Sequence, residues 1–242
     1  MKILSIIPAR GGSKGIPLKN LKIVNGKPLL DYSVCSSLNS ALISRTIVST
    51  DNQKIFNQAK KLGAEIIRRP KKLSTDKSSI ETTIDHCLRY LEKKERYVPD
   101  IIILLQNTSP LRTEKHIDNA IKLFVRSKCD SVLSGFKSHS FFWLSKNGNF
   151  IPINYNPKKR PNRQQFNNQF IENGAIYITK YSAFKKSHCR ISGKIRLYEM
   201  PQELSIDIDT PLDLKRARHH IKKLKHNLDM SSKRTAYRTI NY

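Results

Sequence analysis

The sequence predicts an α/β domain of three layers, in which a mostly parallel sheet is covered by helices on both faces. Short runs rich in β-branched residues alternate with stretches in which apolar residues recur at helical spacing. The run IIILL at residues 101–105 is apolar throughout, as a central strand covered on both faces should be. Because ligands of such sheets gather beyond the carboxyl ends of the strands, polar residues at those ends are the functional candidates.

Predicted strands and helices alternate along most of the chain. The predicted strands cover residues 2–8, 45–50, 64–69, 100–106, 130–136, 174–179 and 194–200. The predicted helices cover residues 28–39, 53–62, 78–94, 114–127 and 211–226. The clearest helix starts are Thr113 before Glu114 and Thr210 before Pro211, since a threonine hydroxyl can cap free amides and proline suits the first helical position.

Residues 138–171 interrupt this alternation. The segment is rich in Asn, Pro and Lys, contains a KNGN turn typical of a hairpin, and is too long for a plain connection. Its aromatic residues include Phe141, Phe142, Trp143, Phe150 and Tyr155. Because a solvated surface loop rarely carries so many aromatic side chains, we expect an arm that packs on another subunit. The predicted organisation is a domain over residues 1–228 that contains this insert, followed by a basic, flexible tail over 229–242.

The chain is strongly basic, with 45 Lys and Arg against 19 Asp and Glu and a formal charge of +26. Such a charge attracts any polyanion, whether a nucleic acid, an acidic membrane surface or nucleotide phosphates. The positive charge is most concentrated in residues 215–238, where Asp229 is the only acidic residue. This pattern predicts a solvated helix face followed by a loose tail. No zinc finger, aromatic-basic RNA signature or basic region with heptads is present, so specific nucleic-acid binding is not expected.

The location and redox state are predicted from what the sequence contains. No window approaches the roughly 20 apolar residues of a membrane span, and the first residues lead into a strand, so we expect a cytoplasmic protein without a membrane span. The four cysteines lack a C-x-x-C pair, and the seven histidines show no metal-ligand spacing around them. Reduced, mostly buried thiols are therefore expected.

The segment ARGGSKG follows the first predicted strand directly. Glycines let a backbone approach phosphate oxygens and turn its amides inward, while Arg10, Lys14 and Lys19 can neutralise negative charge. A Walker loop needs Lys directly after its last glycine, but Ile16 follows Gly15, and the G-x-G-x-x-G spacing of dinucleotide sites is absent. The loop therefore predicts a polyphosphate site that is neither a P-loop ATPase nor a simple NAD enzyme.

A second polar constellation lies in SIDIDTPLD, residues 205–213. In an extended segment Asp207 and Asp209 would point the same way, about 7 Å apart along the chain, which suits Mg²⁺ bound with phosphate oxygens. The alternative is that Asp209 or Thr210 only caps the following helix. The central strand ends in LLQNTSPLR, where Gln106, Thr108 and Ser109 are neutral groups suited to a hydroxyl-rich substrate, although turn chemistry would also explain them.

Six ordered segments carry a resemblance to a known family. They are IPARGGSKGIPLKN, IVSTD, RRPKKLSTDKSS, LLQNTSPLR, ENGAIYI and SIDIDTPLD. From Ile3 to about Ala217 the chain resembles the CMP-sialic acid synthetases, cytidylyltransferases that activate nine-carbon acidic sugars. The resemblance implies a Rossmann-like nucleotidyltransferase fold with an inserted dimerisation region. It also implies transfer of CMP from CTP to the anomeric hydroxyl of a sialic acid or related nonulosonate, release of pyrophosphate, a requirement for Mg²⁺, and a homodimer.

The resemblance further implies roles for the matched residues. The nucleotide-binding set is Ala9, Arg10, Gly11, Gly12, Ser13, Lys14, Lys19, Asn20, Arg69, Ser78 and Ser79. The sugar-binding set is Gln106, Thr108, Arg163, Asn173 and Tyr177. Arg10 and Lys19 are implied to be catalytic with the metal-binding Asp207 and Asp209, and no residue is singled out as a general base.

The sequence departs from the family pattern in two places. Asn107 stands where the usual QPTSP has proline, and Ile171 with Glu172 stands where many relatives carry Arg-Pro. A different sugar pocket is therefore expected, and the nonulosonic acid is not identified. The alternatives are a CMP-Kdo synthetase or another sugar nucleotidyltransferase and, from a different class, a basic protein that binds nucleic acid or a membrane surface.

Overall fold

The computed structural model describes residues 1–13, 15–162, 164–166 and 168–223. The strands are β1 Ile3–Pro8, β2 Ile23–Val24, β3 Lys27–Pro28, β4 Arg45–Thr50, β5 Glu65–Arg68, β6 Ile101–Leu105, β7 Ser131–Lys137, β8 Trp143–Lys146, β9 Asn149–Pro152, β10 Phe170–Lys180 and β11 Ile195–Glu199. The helices are α1 Leu29–Leu38, α2 Gln53–Lys61, α3 Ile80–Glu95, α4 Glu114–Ser127 and α5 Tyr181–Ser187, with α6 over residues 211–223 of the described chain.

Seven strands form the main sheet in the order β11-β7-β10-β6-β1-β4-β5. All neighbouring pairs are parallel except those made by β10, which runs antiparallel to both β6 and β7. The chain builds outward from β1 through β4 to β5, and then returns to the other side of β1 with β6. The boundary between β1 and β6 is thus the point at which strand order reverses, where ligands of open α/β sheets bind.

Two apolar cores cover the faces of the sheet and confirm the three-layer prediction. On one face, Val34 of α1, Ile55 of α2 and Phe124 of α4 pack with Ile7 and other strand residues. On the opposite face, side chains from α3 and α5 are buried against the sheet; they include Ile84, Cys87, Leu88, Leu91 and Phe184. Full burial of each large apolar side chain contributes about 1.5–3 kcal/mol to folding, so the two cores fix the sheet rigidly behind its loops.

A third, smaller core lies under the loops at the carboxyl end of the sheet. Ile16 from the glycine-rich segment and Ile208 from SIDIDTPLD are buried in it, together with Leu214 and Ala217 of α6. Ile208 is fully buried whereas Asp207 and Asp209 are exposed, which is the alternation expected of an extended segment. This core therefore holds two distant parts of the chain side by side.

The segment between β7 and β10 contains the predicted hairpin. Strands β8 and β9 pair antiparallel around Asn147 and Gly148, whose φ angles of 51° and 79° suit the tight turn of an Asn-Gly hairpin. Phe141 packs on Tyr155, with ring centroids 4.4 Å apart. Several other large apolar side chains of the segment are exposed; they include Phe142, Trp143, Leu144, Phe150, Ile151 and Ile153.

Three features of the fold differ from the expectations. Strand β10 begins at Phe170 instead of residue 174, and it runs antiparallel, with a register shift between Glu172 and Tyr177. Gly174 has a φ of +70° within this irregularity, which an alternating pattern of apolar residues does not reveal. The two-residue strands β2 and β3 and the short helix α5 were not predicted, because they are too short to show a period.

The cysteines were expected to be reduced and mostly buried thiols. All four cysteines are free thiols; Cys87 and Cys129 are buried, while Cys189 is exposed. Burial raises the pKa of Cys87 to about 11. In the described part of the chain, no helix is both long enough and apolar enough to cross a membrane. The predicted tail over residues 229–242 lies outside the described residues.

Candidate active site

A cavity of about 540 Å³ opens at the carboxyl ends of β1 and β6. Ten of the sequence-predicted site residues line it: Arg10, Ser13, Lys19, Asn20, Arg69, Ser78, Ser79, Gln106, Thr108 and Asp209. The other lining residues are Pro8, Gly15, Leu73, Thr75, Asp76, Ile80, Thr83 and Asn107. Residues separated by up to about two hundred positions thus meet at the point where the strand order reverses.

Six other predicted site residues do not line the cavity. They are Ala9, Gly11, Gly12, Asn173, Tyr177 and Asp207. The Gly11 amide already donates to Asp51 Oδ1 at 2.9 Å, so it supports the loop from within instead of facing the cavity. Lys14 and Arg163 lie outside the described residues.

The glycine-rich loop is held by contacts on both sides. Asn20, predicted near the ribose, is buried and donates through Nδ2 to the Arg10 carbonyl at 2.9 Å. A Cβ on Gly15 would lie 2.6 Å from the carbonyl oxygen of Asp209, so only glycine allows this approach. The loop is therefore seated directly against the 207–209 segment.

Lys19 joins the two motifs directly. Its Nζ donates to the Ile208 carbonyl at 2.7 Å and forms an ion pair of 3.0 Å with Asp209 Oδ1. The side chain of Lys19 is largely buried, whereas that of Asp209 is exposed. The ammonium group is thereby fixed at the cavity wall, where it can meet a phosphate as a point charge.

Arg10 reaches toward the loop that follows β5. Its Nη1 donates to the Thr75 carbonyl at 3.0 Å, and its Nη2 pairs with Asp76 Oδ1 at 2.8 Å. Both side chains are partly exposed, so the pair is worth at most about 1 kcal/mol. An entering triphosphate, with several negative charges, can displace such a carboxylate from Arg10.

Asp207 is the carboxylate with the most perturbed environment at the site. Although the residue is exposed overall, partial burial of its carboxyl group raises the pKa, a hydrogen bond from the Thr108 side chain opposes that shift, and the nearby charge of Asp209 raises the pKa further. A divalent cation would relieve both the desolvation and the repulsion. Over the residues that the structure describes, no group of three or more His, Cys, Asp or Glu side chains is placed to hold a metal ion. Two carboxylates alone would leave most coordination positions of a bound Mg²⁺ open to phosphate oxygens and water.

Asp213 stabilises the start of α6, the structural role that the sequence left open for Asp209. Its Oδ2 accepts from the Thr210 amide at 2.9 Å and from the Thr210 hydroxyl at 2.7 Å, at the start of α6. Because Asp213 satisfies these donors, the carboxylate of Asp209 remains available to the cavity.

Arg69 forms the inner wall beside α3. It is 7% exposed, and burial lowers its pKa, an effect that the charge of Asp51 opposes. Its Nη1 donates to Thr83 Oγ1 at 2.8 Å, while buried Nε and Nη2 have no hydrogen-bond partner among the described residues. Buried donors without partners cost folding free energy, so a planar acceptor entering the cavity would be favoured.

The two serines beside Arg69 already have structural partners. Ser79 is the N-cap of α3 and accepts from the Thr82 amide at 3.2 Å, while the Ser78 hydroxyl contacts Thr75 Oγ1 at 2.9 Å. Both residues line the cavity.

Sequence reasoning missed Arg112, which holds the end of β6. The side chain is fully buried, and its Nη1 donates to the carbonyls of Gln106 at 3.0 Å and Ala175 at 2.9 Å. Its Nη2 donates to Ser33 Oγ at 2.7 Å, and burial lowers its pKa to about 9. An arginine is expected at the surface, so only its place in LLQNTSPLR hinted at this role.

Strand β10 contacts cavity-lining residues without lining the cavity itself. Asn173 is buried, accepting from Ser134 Oγ at 2.6 Å and donating to Ser205 Oγ at 2.9 Å, so it connects β7 to the segment before Asp207. A Cβ on Gly174 would lie 2.6 Å from Gln106 Oε1. Tyr177 donates its hydroxyl hydrogen to the Glu172 carboxylate.

The chain is similar to known proteins over most of its length. The family model described as cytidylyltransferase matches residues 4–235. The chain is 37% identical over 215 residues to N-acylneuraminate cytidylyltransferase A of Danio rerio, covering 87% of this chain and 49% of the relative. It is 32% identical over 226 residues to N-acylneuraminate cytidylyltransferase of Escherichia coli O18:K1:H7, covering 89% of this chain and 51% of the relative. The chain thus spans about half the length of the curated relatives that it matches.

Solved structures share the fold. A CMP:2-keto-3-deoxy-manno-octonic acid synthetase complexed with CTP aligns with a TM-score of 0.66 at 20% identity, covering 92% of this chain and 99% of that one. A 4-diphosphocytidyl-2C-methyl-D-erythritol synthase aligns with a TM-score of 0.69 at 9% identity, covering 91% and 98%. At such identities the likeness establishes the fold alone. Together with the family match over nearly the whole chain, it means that this protein belongs to the cytidylyltransferase family.

Proposed function

We propose that this protein transfers CMP from CTP to the anomeric hydroxyl of a nine-carbon acidic sugar, a sialic acid or related nonulosonate, with release of pyrophosphate. The observation that carries the proposal is the contact of Lys19 with Ile208 and Asp209, which joins a phosphate-type loop to a carboxylate pair at one cavity. The names of the relatives support the substrate class.

The nucleotide would occupy the side of the cavity formed by β1, β4 and β5. Arg10 and Lys19 would bind the triphosphate, and Lys19 would stabilise charge that develops on the α-phosphate during attack. The unpartnered donors of Arg69 would meet the cytosine, whose carbonyl oxygen and ring nitrogen are acceptors. Catalysis would then depend on positioning and cations, and no covalent nucleophile is required.

Mg²⁺ is the proposed cofactor, with Asp207 and Asp209 as its protein ligands. Bound there with the triphosphate, the ion would withdraw charge from the phosphoryl oxygens and from the departing pyrophosphate. The raised pKa of Asp207 supports the assignment, because a carboxylate that is costly to ionise alone gains most from a cation.

The sugar acid would lie toward β6 and β10. Gln106 and Thr108 line the cavity there, while Asn173 and Tyr177 support its wall. The alternative acceptor is the eight-carbon acid of a CMP-Kdo synthetase, which the fold also accommodates. The sequence ENGAIYI and the relatives favour the nine-carbon acid.

A coupled pyrophosphate assay across a panel of nucleoside triphosphates and sugar acids tests the proposal. We expect pyrophosphate only when CTP, Mg²⁺ and a nonulosonic acid are all present. Turnover with UTP and a phosphorylated neutral sugar would contradict the proposal and favour another sugar nucleotidyltransferase. The basic-protein alternative predicts instead that deleting residues 229–242 abolishes all binding and that the remaining chain turns over nothing.

We further propose a homodimer in which the β8–β9 hairpin packs on a second copy. The support is the set of large apolar side chains exposed on and directly after that hairpin, among which Phe150 is 68% and Ile153 62% exposed. Sedimentation at micromolar concentration should give the dimer mass, and Phe150→Asp with Ile153→Asp should give the monomer. A monomer for the unaltered protein would contradict this arm. The expected cytoplasmic location stays a prediction.

A further inference from the structure

Four polar side chains form a connected chain beyond Gln106, on the face of the sheet that α3 covers. The Tyr177 hydroxyl donates to a carboxylate oxygen of Glu172. The guanidinium of Arg190 lies over the Tyr177 ring, 4.8 Å from its centroid, and its Nη1 pairs with Glu81 Oε1 at 2.5 Å. We call Glu172, Tyr177, Arg190 and Glu81 the distal wall.

None of the four distal-wall residues lines the cavity itself, but both ends of the wall adjoin residues that do. Glu81 lies in the first turn of α3, between Ile80 and Thr83, which line the cavity. At the other end, Glu172 lies two residues before Gly174, which approaches the Gln106 side chain. Because β10 runs antiparallel to β6, its first residues lie at the same edge as the carboxyl end of β6.

Glu172 is the member of the wall that can meet a ligand. Its side chain is exposed, and one carboxylate oxygen is anchored by Tyr177. Within the described ranges, its second oxygen has no protein donor. Burial and the Glu172 carboxylate raise the pKa of Tyr177, so the hydroxyl keeps its proton at neutral pH and remains a donor. The hydrogen bond from Tyr177 thus orients the carboxylate and leaves its second oxygen available to a ligand.

We propose that Glu172 is a specificity-determining residue that accepts a hydrogen bond from an O–H or N–H group on the tail of the sugar acid. The inference rests on the proposed function and adds to it the part of the substrate that is recognised. The reacting anomeric hydroxyl must lie near Lys19 and Asp209, so the part of the sugar that extends past Gln106 is the opposite end. A carboxylate there favours donors and repels a phosphate or a second acid group.

This role separates the nine-carbon acids from the eight-carbon alternative. A shorter acid places fewer donors beyond its ring, and the Glu172 carboxylate would then be left facing water or a carbon. A site built to hydrogen-bond a substrate group rejects analogues that lack it more strongly than an apolar pocket rejects a missing methylene.

The test is a cycle of two proteins and two substrates. The unaltered protein and Glu172→Ala are each assayed with N-acetylneuraminic acid and with its seven-carbon analogue, which lacks the last two carbons of the tail. We expect truncation of the sugar to lower kcat/KM of the unaltered protein by about 10-fold or more, because a hydrogen bond to a charged group is lost. Glu172→Ala should lose a similar factor on the full acid and discriminate little between the two acids. The KM for CTP should stay within about twofold in both proteins.

Two further variants test whether the effect is specific to Glu172. Tyr177→Phe removes the donor that orients Glu172, so it should reduce the discrimination in part without changing the KM for CTP. Glu92→Ala, an exposed glutamate near the other end of α3, is the matched control and should behave as the unaltered protein.

The outcomes separate this inference from the proposed function. An equal truncation ratio in the unaltered protein and Glu172→Ala, or no discrimination in the unaltered protein, overturns the role of Glu172. Absence of pyrophosphate release from CTP with every sugar acid overturns the proposed function itself.

Discussion

The two sides of the cavity are built in different ways. On the nucleotide side, Arg10, Lys19 and Arg69 project cations from loops after β1 and β5. On the proposed sugar side, neutral groups and a carboxylate belong to the end of β6 and to the irregular strand β10, where Glu172 and Asn173 lie, and the nearby cation Arg190 is paired with Glu81. One side is thus a basic cradle held by loop contacts, while the other is a polar wall fixed by a strand.

The difference follows from the ligands that each side is proposed to bind. A triphosphate carries concentrated charge of one sign, which lysine and arginine neutralise with little demand on direction. A sugar acid carries many weak donors and acceptors, which can be distinguished only by groups held in fixed directions. Variants on the nucleotide side should therefore change the kinetic constants for CTP, and variants on the sugar side those for the sugar acid.

Lys19→Ala should lower kcat by about 10²-fold, because the ammonium stabilises charge that develops at the transition state. Lys22→Ala, an exposed lysine three residues further on, should leave kcat unchanged. Steady-state kinetics with CTP and the sugar acid measures both. A folded Lys19→Ala protein with unaltered kcat would remove Lys19 from the site.

Asp207→Asn should lower kcat by a similar or slightly smaller factor and yet raise Tm at pH 7 in the absence of Mg²⁺. The folded-state pKa of Asp207 is raised by burial, so its ionised form reduces stability as the pH rises through that pKa. Near pH 3 the carboxyl is largely protonated in both states, and the difference in Tm between the two proteins should be smallest there. Thermal melts from pH 3 to 8 measure the difference, and a lower Tm at pH 7 for Asp207→Asn would contradict it.

Arg69→Met should raise the KM for CTP by about 10-fold and reduce the preference for CTP over UTP, because its buried donors face the proposed base site. The KM for the sugar acid should change little. Arg68→Met is the control, since Arg68 is exposed and stacks on Phe56 outside the cavity. An unchanged ratio between CTP and UTP would place the base elsewhere.

Asp76→Asn should tighten binding of CTP by a few-fold, the smallest effect of the series. Asp76 pairs with Arg10 at 2.8 Å and competes with the triphosphate for it, and such a partly exposed pair is worth up to about 1 kcal/mol. Asp76→Glu keeps the charge and should leave affinity near that of the unaltered protein. Titration calorimetry decides, and weaker binding by Asp76→Asn would show that the pair instead orders the loop for the ligand.

The nucleotide side was the more predictable from sequence. The chemistry of the glycine-rich loop is evident from a short stretch of sequence, and that of Asp207 and Asp209 from their alternation with the partly buried Ile206 and the buried Ile208. The structure brings both to one place through Lys19 and through the close approach of Gly15 to Asp209. The parallel strands and their helices could also be predicted, because apolar residues recur with periods of two and 3.6 residues over segments long enough to be recognised.

The sugar side could not be derived in the same way. The antiparallel direction of β10 and the +70° φ of Gly174 are set by tertiary packing, and Glu172 and Arg190 meet through Tyr177 only after the chain has folded. The buried Arg112 also contradicts the general rule that charged residues are exposed, since three hydrogen bonds replace its water. A single sequence does not reveal contacts between distant residues when no local pattern marks them.

The central claim is that one cavity joins the α-phosphate of CTP to a sugar acid. The most direct measurement follows CTP radiolabelled at the α-phosphate through a single turnover with Mg²⁺, with and without a nonulosonic acid. The label should move into a CMP-sugar only when the acid is present, at the same rate as pyrophosphate is released. Pyrophosphate released at the same rate without the acid, or label that stays in CTP with every acid supplied, would contradict it.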